Sequence, residues 1–192
     1  MIKKVGLVLI VCGSTGVCYA QTLGEALSKR DTPAVVRLIK SGKDVNAVDN
    51  YGTSALMNAC RWADDTAVSF LLRHGATVDK PRSSKGRTPL MVACAYYSGK
   101  AICLMLIEKG ADVNAIAEGG VTPLMLAAQS AKFDVVELLL KKGANPNAKD
   151  ARSKTAVDYA KSASELEYIK KSVKDCNVDK EGTITLLTRA MK

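Results

Sequence analysis

Gly86-Arg87-Thr88-Pro89-Leu90-Met91-Val92-Ala93-Cys94 returns thirty-four residues later as Gly120-Val121-Thr122-Pro123-Leu124-Met125-Leu126-Ala127-Ala128. The stretch also stands thirty-four residues earlier, as Gly52-Thr53-Ser54-Ala55-Leu56-Met57-Asn58-Ala59-Cys60. A worn copy, Ser153-Lys154-Thr155-Ala156-Val157-Asp158-Tyr159-Ala160, follows the third at a spacing of thirty-three. A fixed period of this size marks a solenoid, in which each unit is too small to bury its own apolar face and stacking supplies the core.

Outward from each copy the pattern is that of a helical hairpin. Thr-Pro opens a first helix sharply, because the Thr oxygen caps a free N–H and Pro at the first helical position gives up no hydrogen bond. A turn follows, then a Leu-rich second helix ending at glycine: Leu71-Leu72-Arg73-His74-Gly75, Leu106-Ile107-Glu108-Lys109-Gly110 and Leu139-Leu140-Lys141-Lys142-Gly143. Glycine ends a helix readily because it accepts the left-handed conformation. Turn-forming links, such as Ala111-Asp112-Val113-Asn114, lead to the next copy. Leu23 to Asn46 keeps only the second half of the pattern and reads as an N-terminal cap. Thr155 to about Lys171 lacks the proline and the final glycine and reads as a closing unit.

These residues resemble the ankyrin repeat, with its Gly-x-Thr-Pro-Leu-His-x-Ala-Ala followed by Leu-Leu-x-x-Gly-Ala-Asp-Val-Asn, over about residues 22–172. The resemblance implies an all-α ankyrin-repeat solenoid of about five helix–turn–helix units with short β-turn fingers. The units fall at about 21–45, 46–78, 79–113, 114–146 and 147–175, and residues 176–192 form a C-terminal capping segment in which Ile184 to Met191 packs over the last unit. The chain departs from the family at the signature histidine, which is Met57, Met91 and Met125 here. Three methionines in register predict an apolar ladder. Unit three carries one extra residue in its leading turn (Pro81 to Lys85) and another between its helices (Tyr96 to Gly99), and insertions in a solenoid fall on its surface.

Residues 1–20 read separately. Lys3 and Lys4 precede an apolar run, Val5 to Val11, and Val17-Cys18-Tyr19-Ala20 supplies small residues at a cleavage site, the pattern of a secretory signal peptide cut after Ala20. The run is short of the ~20 residues that cross a bilayer, and Val11 is a poor neighbour for acylation of Cys12. The signal predicts a periplasmic or secreted protein of bacterial type. Loss of Lys3 and Lys4 takes the formal charge from +9 to +7, which favours an acidic partner surface or serves solubility. Of the cysteines beyond residue 20, Cys60 and Cys94 hold one slot in successive units, too far apart to bridge if stacked helices are ~8 to 10 Å apart. Cys94 and Cys103 lie in one hairpin and could meet; Cys176 lies outside the repeats.

The residues assemble no catalytic group and imply no cofactor. His74, the sole histidine, stands before a helix-ending glycine, where its ring complements the helix dipole. Asp175-Cys176-Asn177-Val178-Asp179 begins like a calcium loop, but Lys180 and Leu186 stand where glycine and glutamate are needed, so no metal is expected.

Surface recognition remains. In ankyrin proteins partners meet the turn tips and the exposed ends of the first helices, along the concave side. Carried over by position, the resemblance implies Asn50, Tyr51, Thr53, Arg61 and Trp62 in unit two, and Arg82, Lys85, Arg87, Ala95, Tyr96 and Tyr97 in unit three. Unit four gives Glu118, Val121, Gln129 and Ser130, and the closing unit gives Arg152 and Lys154. Trp, Tyr and Arg dominate interface hot spots; the alternative is that Trp62 and Tyr96 merely fold over neighbouring helix ends. The implied function is a non-catalytic protein-binding module, monomeric when free. Secreted relatives of this kind shield against cell-wall hydrolases or assist catalases. Electrostatic binding of an acidic cell-surface polymer through Arg61, Lys85, Arg87, Arg152 and Lys154 is the alternative. Nucleic acid is disfavoured by the predicted compartment.

Overall fold

The computed structural model of the chain describes residues 23–79, 85–96, 98–163 and 179–192. The signal-like segment at residues 1–20, Arg82, Tyr97, Cys176 and the insertion at Pro81 to Ser84 lie outside the described residues, as do residues 164–178, which take in the end of the expected closing unit and most of the calcium-like loop.

Helices pair along the chain: α1 (Leu23–Ser28) with α2 (Thr32–Lys40), α3 (Ala55–Arg61) with α4 (Asp65–Arg73), α5 (Pro89–Ala95) with α6 (Lys100–Glu108), and α7 (Pro123–Gln129) with α8 (Phe133–Lys141). α9 (Ala156–Lys161) and α10 (Lys180–Ala190) complete the described α-helices, and a 3-10 turn stands at Glu118–Gly120. The inner helices α1, α3, α5, α7 and α9 pack side by side, and the outer helices α2, α4, α6 and α8 form a second row behind them. α10 lies against both α9 and α8, as each outer helix lies against its own inner helix and the outer helix before it. Its Leu187 and Thr183 are buried, and Asp179 N–H at its start donates to Ala131 O at 3.0 Å.

Local chemistry sets the helix starts. The hydroxyl oxygens of Ser54, Thr88 and Thr122 accept from Met57, Met91 and Met125 N–H at 3.2, 3.3 and 3.3 Å. All three methionines are buried, and Met125 also accepts Thr122 N–H on its sulfur at 3.5 Å, so the ladder is apolar with one weak reciprocal cap. In the closing unit the Asp158 carboxylate accepts from the N–H and hydroxyl of Thr155. Gly75, Gly110 and Gly143 end the outer helices at φ near +90°, in the left-handed region that the sequence requires of them. His74 caps α4, its Nδ1 2.8 Å from Phe70 O and its ring stacked on Phe70.

Neighbouring units are tied by side chains as well as by apolar contact. Asn46 donates to Gly75 O and accepts from Thr77 N–H, and Asn114 repeats the arrangement with Gly143 O and Asn145 N–H. The turn fingers form around an aspartate: Asp49 accepts from Tyr51 and Thr53 N–H, and Asp150 from Arg152 and Lys154 N–H. Between fingers, Glu118 N–H donates to Lys85 O at 3.1 Å and Ala151 N–H to Gly119 O at 2.8 Å. Gly120, at φ +78°, lets the next finger approach: a Cβ there would stand 3.1 Å from Asp150 Cα.

Candidate interaction face

Two rows of candidate residues run across the units. One lies at the fingers, with Tyr51, Lys85, Glu118 and Arg152 all exposed, Tyr51 at 76%. The other lies at the far ends of the inner helices, with Arg61, Trp62 and Tyr96 half-buried and Gln129 exposed. An inner helix of two turns, about 10 Å long at 1.5 Å per residue, separates the rows. Arg87, half-buried, precedes the cap of α5. Ser130, implied as a contact by position, is instead buried, its hydroxyl donating to Ala95 O at 3.2 Å across the unit boundary.

Trp62 and Tyr96 are equivalent residues of successive units, each the C-cap of its inner helix. Each ring is covered by an arginine of the unit before. The Arg30 guanidinium sits 5.7 Å from the Trp62 ring centroid, and that of Arg61 4.8 Å from the Tyr96 centroid. Both are cation–π contacts of about 0.5–1 kcal/mol at half-open sites. The rings therefore do fold over neighbouring helix ends while keeping part of their surface open. Arg61 Nε is buried without a hydrogen-bond partner, a cost that the ring stack offsets only in part.

The most unusual residue lies just behind Tyr96. Lys132 is fully buried at the N-cap of α8. Its ammonium donates to Ala93 O at 3.0 Å, to Ser98 O at 2.9 Å, and to Tyr96 O. The reason lies in the extra residue between α5 and α6. In units one, two and four the last N–H of the turn, from Asp31, Asp64 and Lys132, donates to Ala26, Ala59 and Ala127 O. The equivalent carbonyl in unit three is Ala93 O, which accepts from the ammonium instead. Tyr96 leaves α5 in an extended conformation, φ −113° and ψ −152°, and the lysine gathers the carbonyls that the lengthened turn exposes. Ser98 adds a hydroxyl donated to Cys60 O.

Sequence reasoning missed both Lys132 and Arg30. A signal for Lys132 was present, since Asp31 and Asp64, which cap α2 and α4 by accepting from Ala34 and Ala67 N–H, hold the positions that Lys132 holds before α8. A lysine cannot accept such a bond.

Beneath this turn three thiols are buried: Cys60, Cys94 and Cys103, all free. Interaction with Cys103 first, then burial, pushes Cys94 well above the ordinary thiol range, while interaction with Cys94 and the Lys132 charge hold Cys103 below it. Burial and the proximity of Cys103 push Cys60 up. Among the described residues no group of three or more His, Cys, Asp or Glu is placed to hold a metal ion, and no helix is long and apolar enough to cross a membrane.

Residues 23–117 match the family model for ankyrin repeats in three copies, and residues 106–160 match that for ankyrin repeats in many copies. The chain belongs to the ankyrin-repeat family. It is 29% identical over 160 residues to neurogenic locus notch homolog protein 1 of Danio rerio, covering 83% of this chain and 6% of that protein. To the B-cell lymphoma 3 protein homolog of Mus musculus it is 31% identical over 147 residues, 74% of this chain and 33% of the other. To a putative ankyrin repeat-containing protein of Treponema pallidum it is 28% identical over 144 residues, 75% and 48% respectively. The chain thus spans less than half of each of these relatives. Ankyrin repeats are protein-interaction modules, and the matches bring no catalytic family with them.

Proposed function

We propose that this ankyrin-repeat protein works outside the cytoplasm of a bacterium, in the periplasm or beyond it, and binds one partner protein through the face built on Arg61, Trp62 and Tyr96 with Tyr51 at the finger row. The partner class that fits the reading is a cell-wall hydrolase inhibited or shielded by the complex. Assistance to a periplasmic catalase is the variant of the same reading. The observation that carries it is the repeated arginine–ring stack, Arg30 on Trp62 and Arg61 on Tyr96. These rings are held in place before any partner arrives, which lowers the ordering cost of binding. Residues of these types at half-buried positions are the usual anchors of an interface. The signal-like segment at residues 1–20 supports the compartment.

The basic charge favours one other reading, adhesion to an acidic cell-surface polymer through exposed Lys85, Arg152 and Lys154. Salt separates the two, because exposed charges are screened beyond about 8 Å at physiological ionic strength. The test is capture from a periplasmic extract with the wild-type chain and a Trp62→Ala, Tyr96→Ala variant, followed by hydrolase and catalase assays on the captured proteins with and without the chain. A complex that survives 0.5 M salt and is lost in the variant is expected. Equal capture by both chains refutes the face; capture abolished by salt alone assigns the polymer reading.

A further inference from the structure

We propose that the row of turn fingers is a docking strip for an extended segment of the partner protein, in which apolar and carboxylate side chains alternate every three residues. The inference rests on the reading of this chain as a partner-binding module and names what the finger row takes. Exposed apolar side chains scattered singly call for no explanation. Here the three large ones among the described residues, Val48, Tyr51 and Ile116, exposed at 44%, 76% and 72%, all stand on fingers. Backbone groups hold those fingers: Val48 pairs with Ser54 as an antiparallel bridge, Tyr51 N–H donates to the Asp49 carboxylate at 2.9 Å, and Ala117 N–H beside Ile116 donates to Val121 O at 2.9 Å. The apolar side chains are left over for another surface.

The charges of the same fingers are sorted. The carboxylates of Asp44, Asp49, Asp79, Asp112 and Asp150 each accept a backbone N–H at 2.8–2.9 Å and so are engaged in building the turns. Lys85, Lys149 and Arg152 are exposed, with no carboxylate within ion-pair distance among the described residues. Cations thus face outward over carboxylates bound to the backbone, and the complementary guest is acidic. Position then orders the two kinds of side chain. Val48, Ile116 and Lys149 follow Asn-Ala in fingers one, three and four, and Tyr51, Lys85 and Arg152 stand three residues before the helix cap in fingers one, two and four. Along the stack the fingers read apolar, basic, apolar, basic. Glu118, exposed on finger three, repels a carboxylate there and reinforces that register. Stacked units repeat every ~8 to 10 Å and an extended chain advances about 3.3 Å per residue, so about three residues of the guest pass each finger. A uniformly acidic polymer would match the cations and leave the apolar fingers unused.

The test is fluorescence anisotropy of a labelled thirteen-residue peptide with Leu at its first, seventh and last positions, Glu midway between them and Ser elsewhere. The pattern is a palindrome, so it meets the fingers in either chain direction. The full chain should bind it at least tenfold more tightly than a scrambled peptide of the same composition and than a peptide with every Leu replaced by Ser. Lys85→Glu with Arg152→Glu, and separately Tyr51→Ser with Ile116→Ser, should each weaken binding at least tenfold, with circular dichroism showing the helix content of the wild-type chain. Trp62→Ala with Tyr96→Ala should leave peptide affinity unchanged, which separates the strip from the face built on those rings. No binding, equal binding of the scrambled peptide, or equal binding by either finger variant overturns the strip and leaves the Trp62 and Tyr96 face to its own capture experiment. Equal binding of the Leu-free peptide overturns it in favour of an acidic polymer. Loss of binding in the Trp62, Tyr96 variant alone overturns it by placing the peptide on the other row.

Discussion

Replacing Lys132 by methionine keeps the apolar stem and removes the three donors that Ala93, Tyr96 and Ser98 carbonyls share. Each buried acceptor left unsatisfied costs about 1–3 kcal/mol, so the loss from three is about 3–9 kcal/mol. Against this, the variant no longer buries an ammonium, a penalty of several kcal/mol that the native protein carries. Water entering the vacated turn recovers part of the remaining cost. The balance is a destabilisation of about 3 kcal/mol, near the top of the usual range for a point substitution. With a urea slope of about 2 kcal/mol/M, the unfolding midpoint moves down by about 1.5 M. Circular dichroism through a urea titration of the Lys132→Met and wild-type chains measures it. A lowered slope would show units three and four unfolding separately from the rest. Lys132→Asp, which installs the cap used at Asp31 and Asp64, should not rescue stability, because the three carbonyls stay without a donor. A shift under about 0.25 M for Lys132→Met, or rescue by aspartate, would refute the idea that the ammonium closes the lengthened turn.

Three further outcomes follow from particular contacts. Asp150 is held below the ordinary carboxylate range by Lys154 N–H first and by Tyr159 OH, and Asp158 by Thr155 N–H, so their stabilisation is complete above the unfolded value of about 4 and is lost as pH falls through their folded values. Urea midpoints should fall between pH 5 and pH 3, and Asp150→Asn should flatten that fall. Gly120→Ala places a Cβ 3.1 Å from backbone at a positive φ and should cost about 1–3 kcal/mol, read as a lowered melting temperature; an unchanged melting temperature would contradict the finger contact. A double-mutant cycle on Arg61→Ala and Tyr96→Ala should return a coupling of about 0.5–1 kcal/mol, and zero coupling would mean that the stack is not formed in solution.

The repeats were legible because each signal is local. Thr88 with Pro89, or Leu106 with Gly110, states a helix boundary within a few residues, and the thirty-four-residue spacing repeats the statement. The two rows of candidate residues followed from position alone, since equivalent residues of successive units stand side by side. What escaped the sequence depends on contacts between units. Arg30 covers Trp62 from thirty-two residues away, and Lys132 reaches carbonyls that exist as free acceptors only because one residue was added before Gly99. The pattern could report that a lysine had replaced an aspartate. It could not report what the lysine would find.

The Lys132 clasp also decides where the stack yields. A linear array opens from its looser end, one neighbour at a time. At the C-terminal end α10 braces α7, α8 and α9 together, whereas α1 and α2 at the other end rest on α3 and α4, with Thr32 donating to Asp64 and Arg30 lying on Trp62. Fraying therefore begins at the N-terminal cap and stalls at the seam between units three and four. Trp62 sits on the labile side of that seam, so a ligand seated on it doubles as a splint, and its occupancy is readable as slowed amide exchange in helices it never touches.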